Sequence, residues 1–171
     1  MMIFDDPLIS SLTEQARQNP RLRQHLNLHK SYDEASQRLL IAMEPGTYLR
    51  PHRHLVDAKP ESFVGIRGRV ALLVFDSTGG IEKIIPFGPG EDTAGVDLPS
   101  GIWHTIVCLE ENSVIYETKQ GPYTPISEED MAPWAPAEGD AESAAYQQSL
   151  ADAARATSWD SPGWSRLVPS E

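Results

Sequence analysis

The chain is poor in sulfur chemistry, with one cysteine, Cys108, in 171 residues. A single thiol forms no internal disulfide, which suits a reducing compartment. Its setting, Ile106-Val107-Cys108-Leu109, reads as apolar strand packing, so a buried, inert thiol is expected. Long hydrophobic runs are also missing. No stretch of about 18 apolar residues occurs, so no membrane-spanning helix is expected. The acidic start, Met1-Met2-Ile3-Phe4-Asp5-Asp6, lacks the basic region and apolar core of a signal peptide, and a cytoplasmic protein is the expectation. Basic residues are scarce: 14 Lys and Arg stand against 25 Asp and Glu, a formal net charge of −11. That balance argues against a nucleic-acid partner or an anionic membrane surface, while leaving room for a local basic pocket. The chain has no G-x-x-x-x-G-K-[ST] loop, no G-x-G-x-x-G after a strand, no G-x-S-x-G elbow and no C-x-x-C.

What is present is a series of short apolar runs, at 38–44, 48–54, 61–67, 69–76, 81–87, 102–109 and 113–118. Turn signals separate them: Pro45-Gly46, Ser77-Thr78-Gly79-Gly80, Gly88-Pro89-Gly90 and Pro99-Ser100-Gly101. Regular short strands with such punctuation predict an all-β sandwich or barrel. Ala71-Leu72-Leu73-Val74-Phe75 is continuously apolar, as for a strand covered on both faces. Asp92–Asp97 reads as a weaker further strand. Before the strands, residues 7–18 predict a helix, with Asp6 as cap and Pro7 in the first turn. Residues 20–37 are polar and mixed, with Leu22, Leu26 and Leu28 against the strands. After Lys119, Ser127-Glu128-Glu129-Asp130 predicts a capped helical turn and residues 140–156 an alanine-rich helix. Trp159 and Trp164 fall in a tail that reads as either docked or disordered. The division expected is a lead-in over 1–37, a barrel over 38–120 and an arm over 121–171.

The chemistry concentrates at His52-Arg53-His54. On an extended strand, residues i and i+2 share a face about 6–7 Å apart, so two imidazoles can converge on one metal. Pro99-Ser100-Gly101 turns into a strand that carries His104 near its start. Three histidines and a carboxylate form a common ligand set for a mononuclear divalent metal with open positions. Imidazole with one carboxylate suits Zn, Fe, Mn or Ni. The ligands must be neutral His and ionised Glu, so binding is expected to weaken as pH falls through about 6.

These residues resemble the two motifs of the cupin superfamily. Gly46 is followed by five residues and then His52-x-His54; Glu61 is followed by six residues and then Gly68; Pro99-x-Gly101-x-x-His104 matches the second motif. Two departures stand out: six residues, rather than three or four, separate His54 from Glu61, and Cys108 replaces a frequent asparagine. The likeness extends to the WbuC-type cupin-fold metalloprotein family, which accompanies bacterial surface-polysaccharide genes. It is carried by Gln37–Tyr48 running into Arg50–His54, by Trp103-His104, by Glu117–Tyr123 and by Ala132–Gly139. The resemblance implies a single cupin barrel (double-stranded β-helix, jelly roll) with an N-terminal helix and a helical C-terminal arm. It also implies one divalent metal held by His52, His54, Glu61 and His104.

Glu117 and Lys119 lie two apart on the last strand and share a face, which makes them candidates for proton transfer or substrate anchoring. Tyr123 is a candidate donor at the barrel mouth. Arg50 and Arg38 are candidates for binding a carboxylate or phosphate of a small-molecule ligand, and Arg50 shares the histidine face. Asn27 and His29 are candidates to close the pocket, with a cap or surface position the leading expectation, and Trp103 and Trp134 are expected in packing. Two function classes remain open. One is a metal-dependent enzyme on a sugar or nucleotide-sugar, isomerase- or epimerase-like or an Fe-dependent oxygenase. The other is a non-catalytic metal-containing module binding a sugar or carboxylate. Open strand edges predict a homodimer.

Overall fold

The computed structural model describes residues 1–157; Trp159, Trp164 and the rest of the tail lie outside the described residues. Helix α1 (Asp6–Gln18) opens the chain. Its cap is Asp5, whose Oδ1 accepts from the Leu8 amide at 3.1 Å, one residue earlier than expected. Eight strands follow: β1 (Arg23–Asn27), β2 (Ser36–Met43), β3 (Glu61–Arg67), β4 (Val70–Phe75), β5 (Ile81–Phe87), β6 (Gly95–Leu98), β7 (Trp103–Cys108) and β8 (Ser113–Gln120). A 3-10 turn at Glu128–Asp130 and helix α2 (Ser143–Ala156) complete the described chain.

The strands form two antiparallel sheets, of order β1-β2-β8-β3-β6 and β5-β4-β7. Their inner faces meet in one core: Leu39, Ile41 and Met43 of β2, Phe63 of β3 and Ile115 of β8 pack with Val70, Leu72 and Val74 of β4 and Ile106 and Cys108 of β7. The outer faces are covered by the helices. Ile9, Leu12 and Ala16 of α1 pack on Leu40, Ala42 and Val114. Leu150, Ala151 and Ala154 of α2 pack with Ala71, Leu73, Phe75 and Val107. All six residues of β4 are therefore buried, which explains a strand with no polar alternation.

Three expectations are corrected. The run 48–54 is extended but forms no regular strand. His52 alone bridges to His104 on one side and Met131 on the other, and Pro51 has no N–H to offer a ladder. The polar lead-in contains a strand, β1, paired with β2 from Arg23↔Met43 to Asn27↔Leu39. Its apolar signal is weak because Arg23, His25 and Asn27 face a polar cavity. Ser127 makes no side-chain cap. The two facing sheets correspond to a jelly-roll sandwich, and among the described residues hydrogen bonding does not close them into a complete barrel.

Gly68 ends β3 at φ +68°, and a Cβ there would come within 2.4 Å of Ser113 Oγ and 2.8 Å of its Cα. Only glycine fits that turn. Cys108 is fully buried, and burial pushes its thiol up to about 12. The native protein is therefore expected to give no reaction with a thiol reagent near pH 8 on the timescale in which the denatured chain reacts completely. Stoichiometric labelling of native protein would contradict this packing.

Candidate metal centre and its cavity

Strand register builds the site. Across the larger sheet, Gln37 pairs with Lys119, Lys119 with Glu61 and Glu61 with Leu98. The row two residues further along runs Leu39–Glu117–Phe63–Val96. Residues opposite one another point to the same face, so Glu61, Lys119 and Glu117 all turn inward. In the smaller sheet His104 pairs with Val74 and also faces in, while its neighbour Trp103 pairs with Phe75 on the outside. The His52 amide donates to the His104 carbonyl at 3.0 Å, and the His104 amide donates back at 2.8 Å. That exchange aligns the two histidine-bearing segments.

His52, His54, Glu61 and His104 form a cluster that could hold a metal ion, with one ligand atom from each lying within 4.8 Å of all the others. Ligand atoms on one ion with bonds of about 2.1 Å lie about 3–4.3 Å apart, so a small side-chain rotation closes the set. His54, Glu61 and His104 are almost wholly buried. The imidazole centroids are 4.5 Å apart for His52–His104, 5.3 Å for His52–His54 and 6.1 Å for His54–His104.

Protonation decides whether a cation fits. His104 Nδ1 lies 2.9 Å from the Ile102 carbonyl, and His52 Nδ1 lies 3.0 Å from the Arg50 carbonyl. A carbonyl only accepts, so both Nδ1 atoms carry protons, and in the neutral form of each ring Nε2 presents its lone pair. His104 Nε2 is 3.3 Å from Glu61 Oε2. His54 Nε2 is 2.9 Å from Glu61 Oε1, yet it is buried without a hydrogen bond, because the atoms are close but poorly aligned. Two imidazole nitrogens and a carboxylate thus converge, and a positive charge shared among them, on a proton or on a metal ion, satisfies the arrangement. The donor set suits a divalent transition metal.

The surrounding charges favour that state. Burial alone would raise the Glu61 carboxyl, but the His104 and His54 imidazoles and the Lys119 charge outweigh it and hold it well below the usual range. Burial, and then the charge on His104, pushes His52 down to about 3, so its ring is neutral and free to ligate. Burial and the Glu61 charge push Glu117 up to about 7. Burial would lower Lys119, but Glu61 and Glu117 raise it. Lys119 Nζ donates to Glu61 Oε1 at 3.0 Å and lies 3.8 Å from Glu117 Oε1.

His52, Glu61, His104, Glu117 and Lys119 line a cavity of about 710 Å³ together with Arg50 and Tyr123. Arg50 donates from Nη2 to the Ala132 carbonyl at 2.8 Å, while its Nε is buried without a partner. Tyr123 is half exposed and its ring lies 5.0 Å from that of Tyr32. Arg38 is not brought to the cavity. Register puts it opposite Thr118, on the sheet's other face, where it pairs with Glu34 at 2.7 Å. The expected role of Arg38 in ligand binding is therefore not carried forward. Lys59 does not pair with Glu61; it contacts Asp57 at 3.2 Å and the Pro122 carbonyl at 2.6 Å.

Asn27 and His29 line the cavity, the alternative to the leading cap or surface expectation, and Arg23, His25 and Tyr32 join them. The period-two spacing of Arg23, His25 and Asn27 was the available signal. Arg23 is buried and pairs with Glu138 at 2.8 Å. This contact draws the C-terminal arm onto the cavity rim, a long-range pairing that spacing does not encode.

Comparison with known proteins adds a fold-level likeness. Residues 4–86 match a family described as a domain of unknown function (DUF6016). No curated protein matches in sequence. Among solved structures, KdgF from Halomonas sp. is 16% identical, with 62% of this chain and 84% of that chain covered and a TM-score of 0.47. Oxalate decarboxylase from Bacillus subtilis is 21% identical, with 63% and 26% covered and a TM-score of 0.46. An oxalate oxidase in complex with glycolate is 14% identical, with 64% and 56% covered and a TM-score of 0.49. The matched region spans about a quarter of the oxalate decarboxylase chain. Likenesses at this level assign neither metal nor activity.

The opposite shifts of the two carboxylates have opposite consequences for the metal-free protein. Glu61 is depressed, so the stability it contributes is present above the ordinary carboxylate pKa and is lost as pH falls below that range. Glu117 is raised, so its contribution is complete below about 4.5 and is lost as pH rises through about 7. Glu117→Gln keeps the shape and removes the titration. The metal-free variant is expected to lose less Tm than wild type between pH 5 and pH 8, by a few degrees. Parallel Tm–pH curves would show that Glu117 does not titrate in this range.

Proposed function

We propose that this protein is a mononuclear metal-dependent cupin enzyme acting on a small anionic molecule. The observation that carries the reading is Lys119, inside the cavity, spanning Glu61 at 3.0 Å and Glu117 at 3.8 Å beside three converging imidazoles. A purely structural cluster has no need of a carboxyl held near neutrality at the floor of a large open cavity. His52, His54, Glu61 and His104 would hold the ion, which is Zn, Fe, Mn or Ni. When bound, it supplies Lewis acidity to a ligand oxygen.

The chain's own residues supply the rest. Glu117, at about 7, exchanges a proton at its carboxyl oxygen near neutral pH. Lys119 remains charged and fixes the Glu61 carboxylate, leaving its other donors for substrate oxygens. Arg50, tethered at Nη2 and unpartnered at Nε, is the anchor for a carboxylate or phosphate. Tyr123 offers a hydroxyl at the mouth. The cavity is lined by Arg21, Arg23, Arg50 and Lys119 against Glu61, Glu117, Glu128 and Glu138. That near balance, in a chain of net charge −11, becomes positive once a divalent ion is added and selects an anionic ligand.

The finer reading rests on the WbuC-type resemblance. It makes the substrate a sugar or nucleotide-sugar of surface-polysaccharide synthesis, in an isomerase- or epimerase-like step or an Fe-dependent oxygenation, by a cytoplasmic homodimer. A binding module of the same architecture would hold such a ligand without turning it over.

Purified protein is expected to carry about one transition-metal ion per chain by elemental analysis, and Glu61→Gln or His104→Ala to carry a small fraction of that. Thermal-shift screening of the loaded protein is expected to raise Tm by about 5 °C at saturation with a sugar phosphate, nucleotide sugar or small carboxylate. Neutral hexoses should have little effect, and Arg50→Gln should abolish the shift. Metal-free folded protein that takes up no added ion would overturn the reading.

A further inference from the structure

The histidines of the metal centre alternate with outward-facing residues, and those residues make a cluster of their own. Arg53 sits between His52 and His54, and Trp103 immediately precedes His104. Alternation on extended backbone turns both away from the cavity. There the Arg53 guanidinium carbon lies 4.3 Å above the Trp103 ring, and Trp103 meets Trp134 edge-on at 4.9 Å. Arg53 Nε also donates to Asp130 Oδ1 at 3.2 Å.

Asp130 is 3% exposed, and all its acceptor capacity is directed at the segment that carries His52 and His54. Its Oδ2 accepts from the Leu55 amide at 3.1 Å and the Val56 amide at 3.0 Å. Its own carbonyl accepts from the Arg53 amide at 2.9 Å, and the Ala132 amide donates to the Pro51 carbonyl at 2.9 Å. The segment 51–56 lacks a regular ladder, and these bonds substitute for one. They begin just before His52 and end just after His54.

We propose that the Asp130–Arg53–Trp103 cluster is a positioning device for the metal centre. It clamps the His52-x-His54 segment from behind and ties it through Trp103 to the strand bearing His104, so the C-terminal arm sets the angle at which three imidazoles converge. The inference rests on the metal reading above. On its other side the segment is held by the His52–His104 exchange and by the Gly101 amide, which donates to the His54 carbonyl at 3.1 Å. Beyond that point six residues run to Glu61, and Asp130 caps the first two amides of that loop. Groups that orient metal ligands from behind are worth about 10–100-fold in metal affinity.

Asp130→Asn tests this isosterically. It replaces one accepting oxygen by a donating NH2, so at least one of the three donors now faces a donor. Arg53→Met removes the stack and the ion pair at a partly exposed position and leaves Asp130 intact. Chelator-stripped wild type and both variants are titrated with Co(II), with affinity measured by chelator competition, ligand geometry by the visible d–d bands, and metal-free Tm in parallel. Each variant is expected to bind Co(II) at least tenfold more weakly, with shifted or weakened bands. Metal-free Tm should fall by only a few degrees. Affinity within twofold of wild type and an unchanged spectrum would overturn the clamp while leaving the metal centre standing. If Asp130→Asn does not fold, Arg53→Met decides alone by the same criterion. Wild type that binds no Co(II) would overturn both readings.

Discussion

A buried carboxylate is the constraint on which the molecule depends. Glu61 is 3% exposed, and two imidazole nitrogens lie 2.9 and 3.3 Å from its oxygens. An ionised carboxyl in such a place is costly unless positive charge meets it. Lys119 supplies one positive charge from the neighbouring strand, and the three imidazoles beside the carboxylate complete a cluster that could hold a metal ion. The same constraint raises Glu117, because one charged carboxylate nearby makes a second one unfavourable. The centre thus pushes its two carboxyls in opposite directions, Glu61 down and Glu117 up.

The layered architecture serves this separation. The inner faces of two sheets hold the apolar core over most of their area and become polar towards the cavity. Leu39, Ile41 and Met43 border both regions. Helix α1 covers the outer face of β2 and part of β8, and α2 covers that of β4 and β7, while β5 presents Glu82 and Lys83 to solvent. One buried strand pair links fold and site directly. β7 pairs with β4 along its whole length and places Trp103 outside and His104 inside. Stability and ligand placement therefore depend on the same register.

The arm after β8 is part of the site. Asp130, Met131, Ala132 and Glu138 reach back to Arg53–Val56, His52, Arg50, and Arg21 and Arg23. A boundary at residue 120 separates segments in the sequence but not in function, since the cavity wall includes Glu128, Met131, Ala137 and Glu138.

Periodicity and turn chemistry made much of this legible in one dimension. The runs at 61–67 and 81–87 coincide with β3 and β5, because apolar stretches bounded by Gly, Pro and Ser have few other outcomes. The His-x-His spacing put two imidazoles on one face, and the motif resemblance added Glu61 and His104; the structure brings these four together. The strand at Arg23–Asn27 escaped because its inward residues are polar. The extended segment at 48–54 was taken for a strand because it alternates like one. Only the tertiary structure decided that Glu61 faces Lys119, that Arg38 points away from the cavity, and that Asp130 grips the histidine segment across more than seventy residues. Those facts follow from sheet register and from the path of the arm, and both are settled by the packing of the whole chain rather than by the propensities of any short stretch.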